Sequence, residues 1–374
     1  MQKNKNKHKS IIITFLILAI TVFILSIPIY AYFLREKKET NGTKMIVTTT
    51  TMLQDLVKHL IGDVEQGENQ KYKKIKGIEC QTLMGVGIDP HNYKTKLSDR
   101  LKIKNADLVV VNGLHLEAKM PDAFKLFTKK DCLYDAGKSL LENSKFKNKL
   151  LKEEGLEDYD PHIWFNPDLW IEIFQNLKKV LLEKEIVKTI EDKNILEQNF
   201  KFYSDDLGEL KKYIIKEMEE LKQKIENKGY KFIIVTAHDA FSYWKAFCKE
   251  NKCEFELEPI QGISTQTEAS NNKIVTLAQK LAKNNVKAIF TESSMPKNSL
   301  RSLKEEVDNQ RKKQGLKGEI EIPKDVELYS DSLGKTENEE KFIDKNYKHS
   351  TYIGAFLNNI EIIKNYLGEK NYDE

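Results

Sequence analysis

The sequence predicts an α/β protein of two lobes, each with a central, mostly parallel sheet, joined by one long rigid helix. Two observations carry this. From residue 45 onward, β-branched runs alternate with amphipathic stretches, and the alternation stops and then restarts. In the interruption, no proline occurs between Pro167 and Pro259, and apolar residues recur at 196, 200, 203, 207, 210, 214, 218, 221 and 225. Steps of three and four sustained over that length mark a single amphipathic helix, predicted over 189–228. About 35 residues at 1.5 Å each reach roughly 50 Å, more than the width of a small domain. Such a helix suits either a coiled-coil partner surface or a strut between lobes, and the α/β pattern on both sides favours the strut.

The elements follow in order. Met45-Ile46-Val47 and the threonines after it read as a strand, and residues 52–61 have helical spacing ended by Gly62. A second strand is predicted near Glu79–Leu83 and a helix near Leu97–Lys104. Asp107 to Asn112 is nearly all apolar, as expected of a strand buried on both faces. Beyond the long helix, strands are predicted at Lys231–Thr236, Phe255–Ile260 and Ala288–Thr291, with a helix at Ala269–Asn284 between the last two. Residues 302–325 read as a charged helix and surface loop, and Tyr352–Tyr366 as the final helix. The lobes would then be 45–188 and 229–374.

Composition excludes some functions. Of 374 residues, 40% are hydrophobic and 9% aromatic, enough for packed cores. There are 61 basic residues against 57 acidic, and four of the lysines fall in the first ten positions, so the body is balanced. Nucleic-acid binding needs a basic stripe, and none is expected here. The basic segment 1–10 precedes an uncharged apolar run, Ile11–Leu34, long enough to cross a bilayer as a helix. Charge asymmetry places the N-terminus inside and the body outside, after a polar tether at 35–44. The run serves as a signal anchor or a signal peptide; its length and the bulky Ile29 before Ala31 favour an uncleaved anchor. The cysteines at 80, 132, 248 and 253 contain no CxxC, and Cys248 and Cys253 are spaced either to pair or to remain thiols.

Three of the seven histidines share a setting: Asp89-Pro90-His91, Asp160-Pro161-His162 and Ala237-His238-Asp239. Proline stiffens the turn that presents the ring. An adjacent aspartate can accept the second ring N–H and set the tautomer. His91 and His238 each follow a predicted strand, where open α/β sheets bind ligands. Imidazoles converging from two lobes suit zinc or a similar metal. His115 is expected to open a helix in a structural role, and His349 to be exposed before the last helix.

The segments Leu83-Met-Gly-Val-Gly-Ile-Asp-Pro-His-Asn-Tyr93, Asn105-Ala-Asp with Asn112-Gly-Leu-His-Leu-Glu117, Asp160-Pro-His-Ile-Trp164 and Thr236-Ala-His-Asp-Ala-Phe241 resemble the zinc- and manganese-binding solute-binding proteins of ABC importers. Gln261-Gly-Ile-Ser264 with Glu268-Ala-Ser270, Thr291-Glu-Ser-Ser294 and Ser330-Asp-Ser-Leu-Gly334 extend the match in family order. The resemblance implies one divalent metal, carried as cargo in the cleft between lobes. Its ligands would be His91, His162, His238 and Asp331, the last chosen on resemblance alone. It also implies a membrane permease and an ATPase on other chains, with this chain a monomer outside the cytoplasm. Glu268, Glu292, Asp239, Asp160 and Asp89 would support rather than ligate.

Three imidazoles and one carboxylate favour zinc, with manganese as the alternative. No long histidine-rich loop is present at 117–160, which keeps manganese open. One rival is a zinc hydrolase in which Asp331 stays off the metal and Glu268 or Glu292 acts as base. Neither HExxH nor a GxSxG elbow occurs. Another is a surface adhesin with a structural metal.

Overall fold

The computed structural model describes residues 42–64, 71–152, 158–266, 269–342 and 345–369. Residues Met45–Glu374 cluster as one compact unit. The predicted cytoplasmic segment and apolar run lie outside the described residues. Among the described residues, no helix is long and apolar enough to cross a membrane.

The first half holds β1 (Lys44–Thr48), α1 (Thr51–Ile61), β2 (Ile78–Thr82), α2 (Leu97–Asn105), β3 (Leu108–Val111), α3 (Pro121–Phe127), β4 (Leu133–Asp135), α4 (Ala136–Leu141), α5 (Ser144–Lys147) and α6 (Pro167–Glu183). Its strands form one sheet in the order β2-β1-β3-β4, with β3 parallel to both β1 and β4. All of β3 is buried, as its apolar run requires. Thr50 caps α1, and Gly62 ends it at φ 70°. Asn166 caps α6, whose first residue is Pro167, already at a helical φ and with no N–H to satisfy.

The middle helix, α7 (Ile190–Glu226), runs 37 residues from its Thr189 cap. The joining helix is packed along its length. Its stripe of Leu196, Tyr203, Leu207, Leu210, Ile214, Met218, Leu221 and Ile225 is buried, and it packs on α1 and α6.

The second half holds β5 (Ile233–Thr236), α8 (Ser242–Glu250), β6 (Glu256–Pro259), α9 (Asn271–Lys283), α10 (Asn298–Lys313), β7 (Glu339–Phe342), β8 (Lys345–Lys348) and α11 (Tyr352–Ile363). The last of these continues into a π-helical stretch, Lys364–Glu369, and also packs on α7. β5 and β6 are parallel, and β7 and β8 form an antiparallel hairpin. One large core therefore runs through α1, α6, α7, α8 and α11, with smaller clusters on the outer faces of each half.

Three expectations need correction. Ala288–Thr291 is not a strand: Phe290 N–H donates to Val235 O at 2.9 Å, but the outer side makes only single bridges, Ala288 to Glu321 and Glu292 to Leu328. Those partners are two isolated residues, seven apart in the segment between α10 and β7, so no ladder propagates. His115 does not open a helix. It lies in a left-handed turn at φ 63°, with its side chain exposed beside Asp158 at 3.5 Å. His349 is buried, not exposed; its ring contacts the Tyr329 hydroxyl at 3.0 Å and Glu340 at 3.1 Å. The β7–β8 hairpin and Tyr329 cover it, and neither was legible as its neighbour.

The cysteines are free thiols. Cys253 N–H donates to Cys248 O at 2.9 Å across left-handed Lys252, closing the end of α8 in the Schellman pattern.

Candidate metal centre

Each candidate residue is placed by a short, tightly bonded loop. His91 follows β2 by way of Gly87, at φ 73°. His162 precedes a 3₁₀ turn, Ile163–Phe165, that leads to α6. The loop after β3 supports it: Asn112 Nδ2 donates to Pro161 O at 2.9 Å. That loop is in turn held by the buried Glu117 carboxylate, which accepts from Thr49 Oγ1 at 2.5 Å and from the N–H groups of Asn112 and Gly113. Gly113 sits at φ 75°, where a Cβ would lie 2.0 Å from Asp135 Oδ1, so only glycine fits.

The second half supplies the rest. His238 follows β5 directly, and Asp331 follows the 328–330 segment. Trp164 Nε1 donates to Ser330 O at 2.9 Å, tying the His162 turn to the Asp331 loop. The hydroxyls of Tyr243 and Tyr352 donate to Asp160 O and Trp164 O at 2.9 and 2.7 Å.

These loops bring His91, His162, His238 and Asp331 to one buried point, with one donor atom from each lying within 4.8 Å of all the others. His162 Nε2 is 3.2 Å from His91 Nε2 and 3.3 Å from His238 Nε2. Asp331 Oδ1 is 3.5 Å from His162 Nε2, and Asp331 Oδ2 is 3.3 Å from His238 Nε2. A tetrahedron with zinc–nitrogen bonds of 2.0–2.1 Å has edges of about 3.3–3.4 Å. Asp331 Oδ1 is buried without a hydrogen-bond partner, an arrangement costly unless a cation or proton donor completes it. The donor set therefore fits a small tetrahedral cation.

The far sides of the rings differ. Asp160 Oδ1 lies 2.7 Å from His162 Nδ1, and Glu292 Oε2 lies 2.6 Å from His238 Nδ1. Glu292 also accepts from Ala237 N and His238 N, at 2.7 and 3.0 Å. At His91 the adjacent Asp89 carboxylate accepts the backbone N–H at 2.9 Å instead of a ring proton. The expected Asp-to-ring contact thus holds in one Asp-Pro-His turn and not the other. Asp239 accepts from Ser242 Oγ at 2.6 Å at the start of α8. Glu268 lies outside the described residues.

Charge follows this geometry. Burial works against protonating His162, but the Asp160 and Asp331 carboxylates outweigh it and hold the ring up to about 9. Burial likewise opposes a charge on His238, and Glu292 and Asp331 together raise it well above the usual histidine value. Burial dominates at His91 and holds it down to about 4. Asp331 stays ionised well below the carboxylate range despite burial, because His238 and His162 face it. The buried carboxylates of Asp160, Glu292 and Asp331 surround the two raised rings, so a dication at this point would take the place of the ring protons. A divalent metal would displace one proton from His162 and one from His238, since ligating imidazole must be neutral. Binding at pH 7 is therefore expected to release protons, and affinity to fall as pH drops from 8 to 6. Calorimetry in buffers of different ionisation enthalpy reads both, and an uptake of protons would contradict the charge assignment.

Residues 46–366 match the family described as ZnuA, zinc-uptake complex component A periplasmic. The chain belongs to this family. Among ZnuA-family relatives, the zinc-binding protein TroA of Treponema pallidum (strain Nichols) is 30% identical over 327 residues, 86% of this chain and 88% of TroA. The manganese-binding lipoprotein MntA of Bacillus subtilis (strain 168) is 28% identical over 327 residues, 87% of this chain and 90% of MntA. The solved structure of the periplasmic zinc-binding protein TroA from Treponema pallidum aligns at a TM-score of 0.69 and 27% identity. That alignment covers 88% of this chain and 100% of TroA. The two-lobed α/β architecture expected from the sequence is the one this chain shares with TroA.

Proposed function

We propose that this ZnuA-family chain captures a divalent transition metal outside the cytoplasm, zinc ahead of manganese, and delivers it to an ABC importer. His91, His162, His238 and Asp331 are the ligands, and the metal is cargo. The permease and its ATPase are separate chains, and the apolar run 11–34 anchors a monomeric body to the membrane. The observation that carries this reading is the set of donor spacings, 3.2 to 3.5 Å, between three imidazole nitrogens and a buried carboxylate. Such spacing suits a four-coordinate cation held entirely by protein, the arrangement of a closed site rather than one keeping a position open for water. The hydrolase alternative would need a free carboxylate as base; Glu292 is already engaged by His238 and two backbone N–H groups.

Zinc leads because imidazole outnumbers carboxylate and zinc outranks manganese for nitrogen donors. The relatives named as binders of each metal make both worth measuring. Competitive titration of the purified chain should give one zinc per chain, with manganese displaced at equal concentration. Failure to take up either metal would sink the reading, and preference for manganese would reverse the order of cargo.

A further inference from the structure

His162 and His238 each have a carboxylate against Nδ1, while the carboxylate beside His91 is used otherwise. Asp89 Oδ1 accepts the His91 backbone N–H, and Asp89 Oδ2 accepts from Asn92 Nδ2 at 2.9 Å and Thr265 Oγ1 at 2.7 Å. Thr265 belongs to the other half of the molecule. Its hydroxyl also accepts from Asn92 Nδ2 at 3.0 Å, and the neighbouring Gln266 Nε2 donates to His91 O at 3.3 Å. The His91 turn is therefore fixed through its backbone, by a polar clasp reaching across from the loop after β6.

The clasp lies on the solvent side of the site. Val86 and Ile88, in the loop that carries His91, are 45% and 37% exposed, and Asn92 is exposed, whereas His162 and His238 are fully buried. His91 is thus the one of the three histidines carried on a loop with exposed neighbours. The other two rings are braced by buried carboxylates and by aromatic packing, so His91 is the ligand with the softest support.

We propose that Thr265, with Gln266, is a positioning residue that holds His91 over the metal and sets how fast the metal leaves. Thr265 suits this role chemically, because one hydroxyl donates to Asp89 and accepts from Asn92 at once. These hydrogen bonds are partly solvated, so each is weak enough to open without unfolding the site. Capture and release then share one device: the clasp closes when both halves present their polar groups, and separating 265–266 from 89–92 frees His91 first. The inference rests on the metal-capture reading and adds to it which ligand lets go.

The test compares the full chain with Thr265→Val, which keeps the shape but removes the hydroxyl, and Thr265→Ser, which restores it. Each protein is loaded with one zinc and mixed with excess chelator, and the dissociation rate is followed. Thr265→Val should release zinc about tenfold faster, the loss expected for one hydrogen-bonded hydroxyl. Thr265→Ser should recover most of the slow release, which a purely structural role for the loop would not predict. A wild-type rate in Thr265→Val, or equally fast release from both variants, overturns the inference while leaving metal capture standing. Absence of zinc uptake by the unsubstituted chain would overturn both.

Discussion

His238→Ala should weaken zinc binding by at least about 100-fold. Apparent zinc affinities of about 10–16 kcal/mol, shared among four ligands, assign about 3 kcal/mol to each, and about 1.4 kcal/mol is tenfold. The substitution removes one donor and also unpairs Glu292, whose Oε2 lies 2.6 Å from the ring it would lose. The carboxylate keeps its two backbone N–H donors, so the fold should survive and the loss should appear as affinity rather than as unfolding. Two comparisons sharpen the result. Glu292→Gln keeps the ligand but changes the group that orients it, and should cost about 10- to 100-fold. His115→Ala should change nothing, because that ring is exposed and is not one of the four clustered donors. Titration with a chromophoric zinc competitor measures all three. An unchanged affinity for His238→Ala would remove His238 from the proposed ligand set.

Trp244→Ala should be the most destabilising single change near the site, at about 3–5 kcal/mol. The indole is fully buried on α8. Its ring centroid lies 4.8 Å from Phe356, 5.9 Å from Phe255, 6.2 Å from Phe241 and 6.4 Å from Phe165. Phe165 ends the turn that begins at His162, Phe241 closes the loop that begins at His238, and Phe356 comes from α11. One ring therefore props two proposed ligand loops from behind. Removing it leaves a cavity that these loops can only partly fill, so zinc affinity should fall with stability. The denaturant midpoint should drop with little change in slope, and added zinc should raise it again, because a ligand that binds only the folded state stabilises it by mass action. An unchanged midpoint would mean that the cluster repacks around the gap.

Much of this was legible in one dimension. The steps of three and four from residue 196 to residue 225 correspond to one helix, Ile190–Glu226, because each step returns the chain to the same face. Uninterrupted apolar runs marked the buried parallel strands β3 and β5 for a similar reason, since burial on both faces leaves no place for a polar residue. The two Asp-Pro-His turns stood out because proline constrains a chain locally, within three residues of the histidine it presents. What was missed depends on long-range neighbours. Ala288–Thr291 has strand composition but lacks a continuous partner on its outer side. His349 has a polar local setting, yet the β7–β8 hairpin and Tyr329 bury it.

The same division runs through the site. Local sequence decided which imidazoles are displayed on stiff turns at the ends of strands. Tertiary structure decided which carboxylates face them. Asp331 resembles any other loop aspartate until Trp164 holds its loop against the His162 turn. Glu292 reaches His238 from 54 positions further along the chain. Thr265 meets Asp89 from 176 positions further along. A turn is specified by neighbours along the chain, but a charge is placed by whatever the packed core brings beside it, and that is settled only when both halves close around α7.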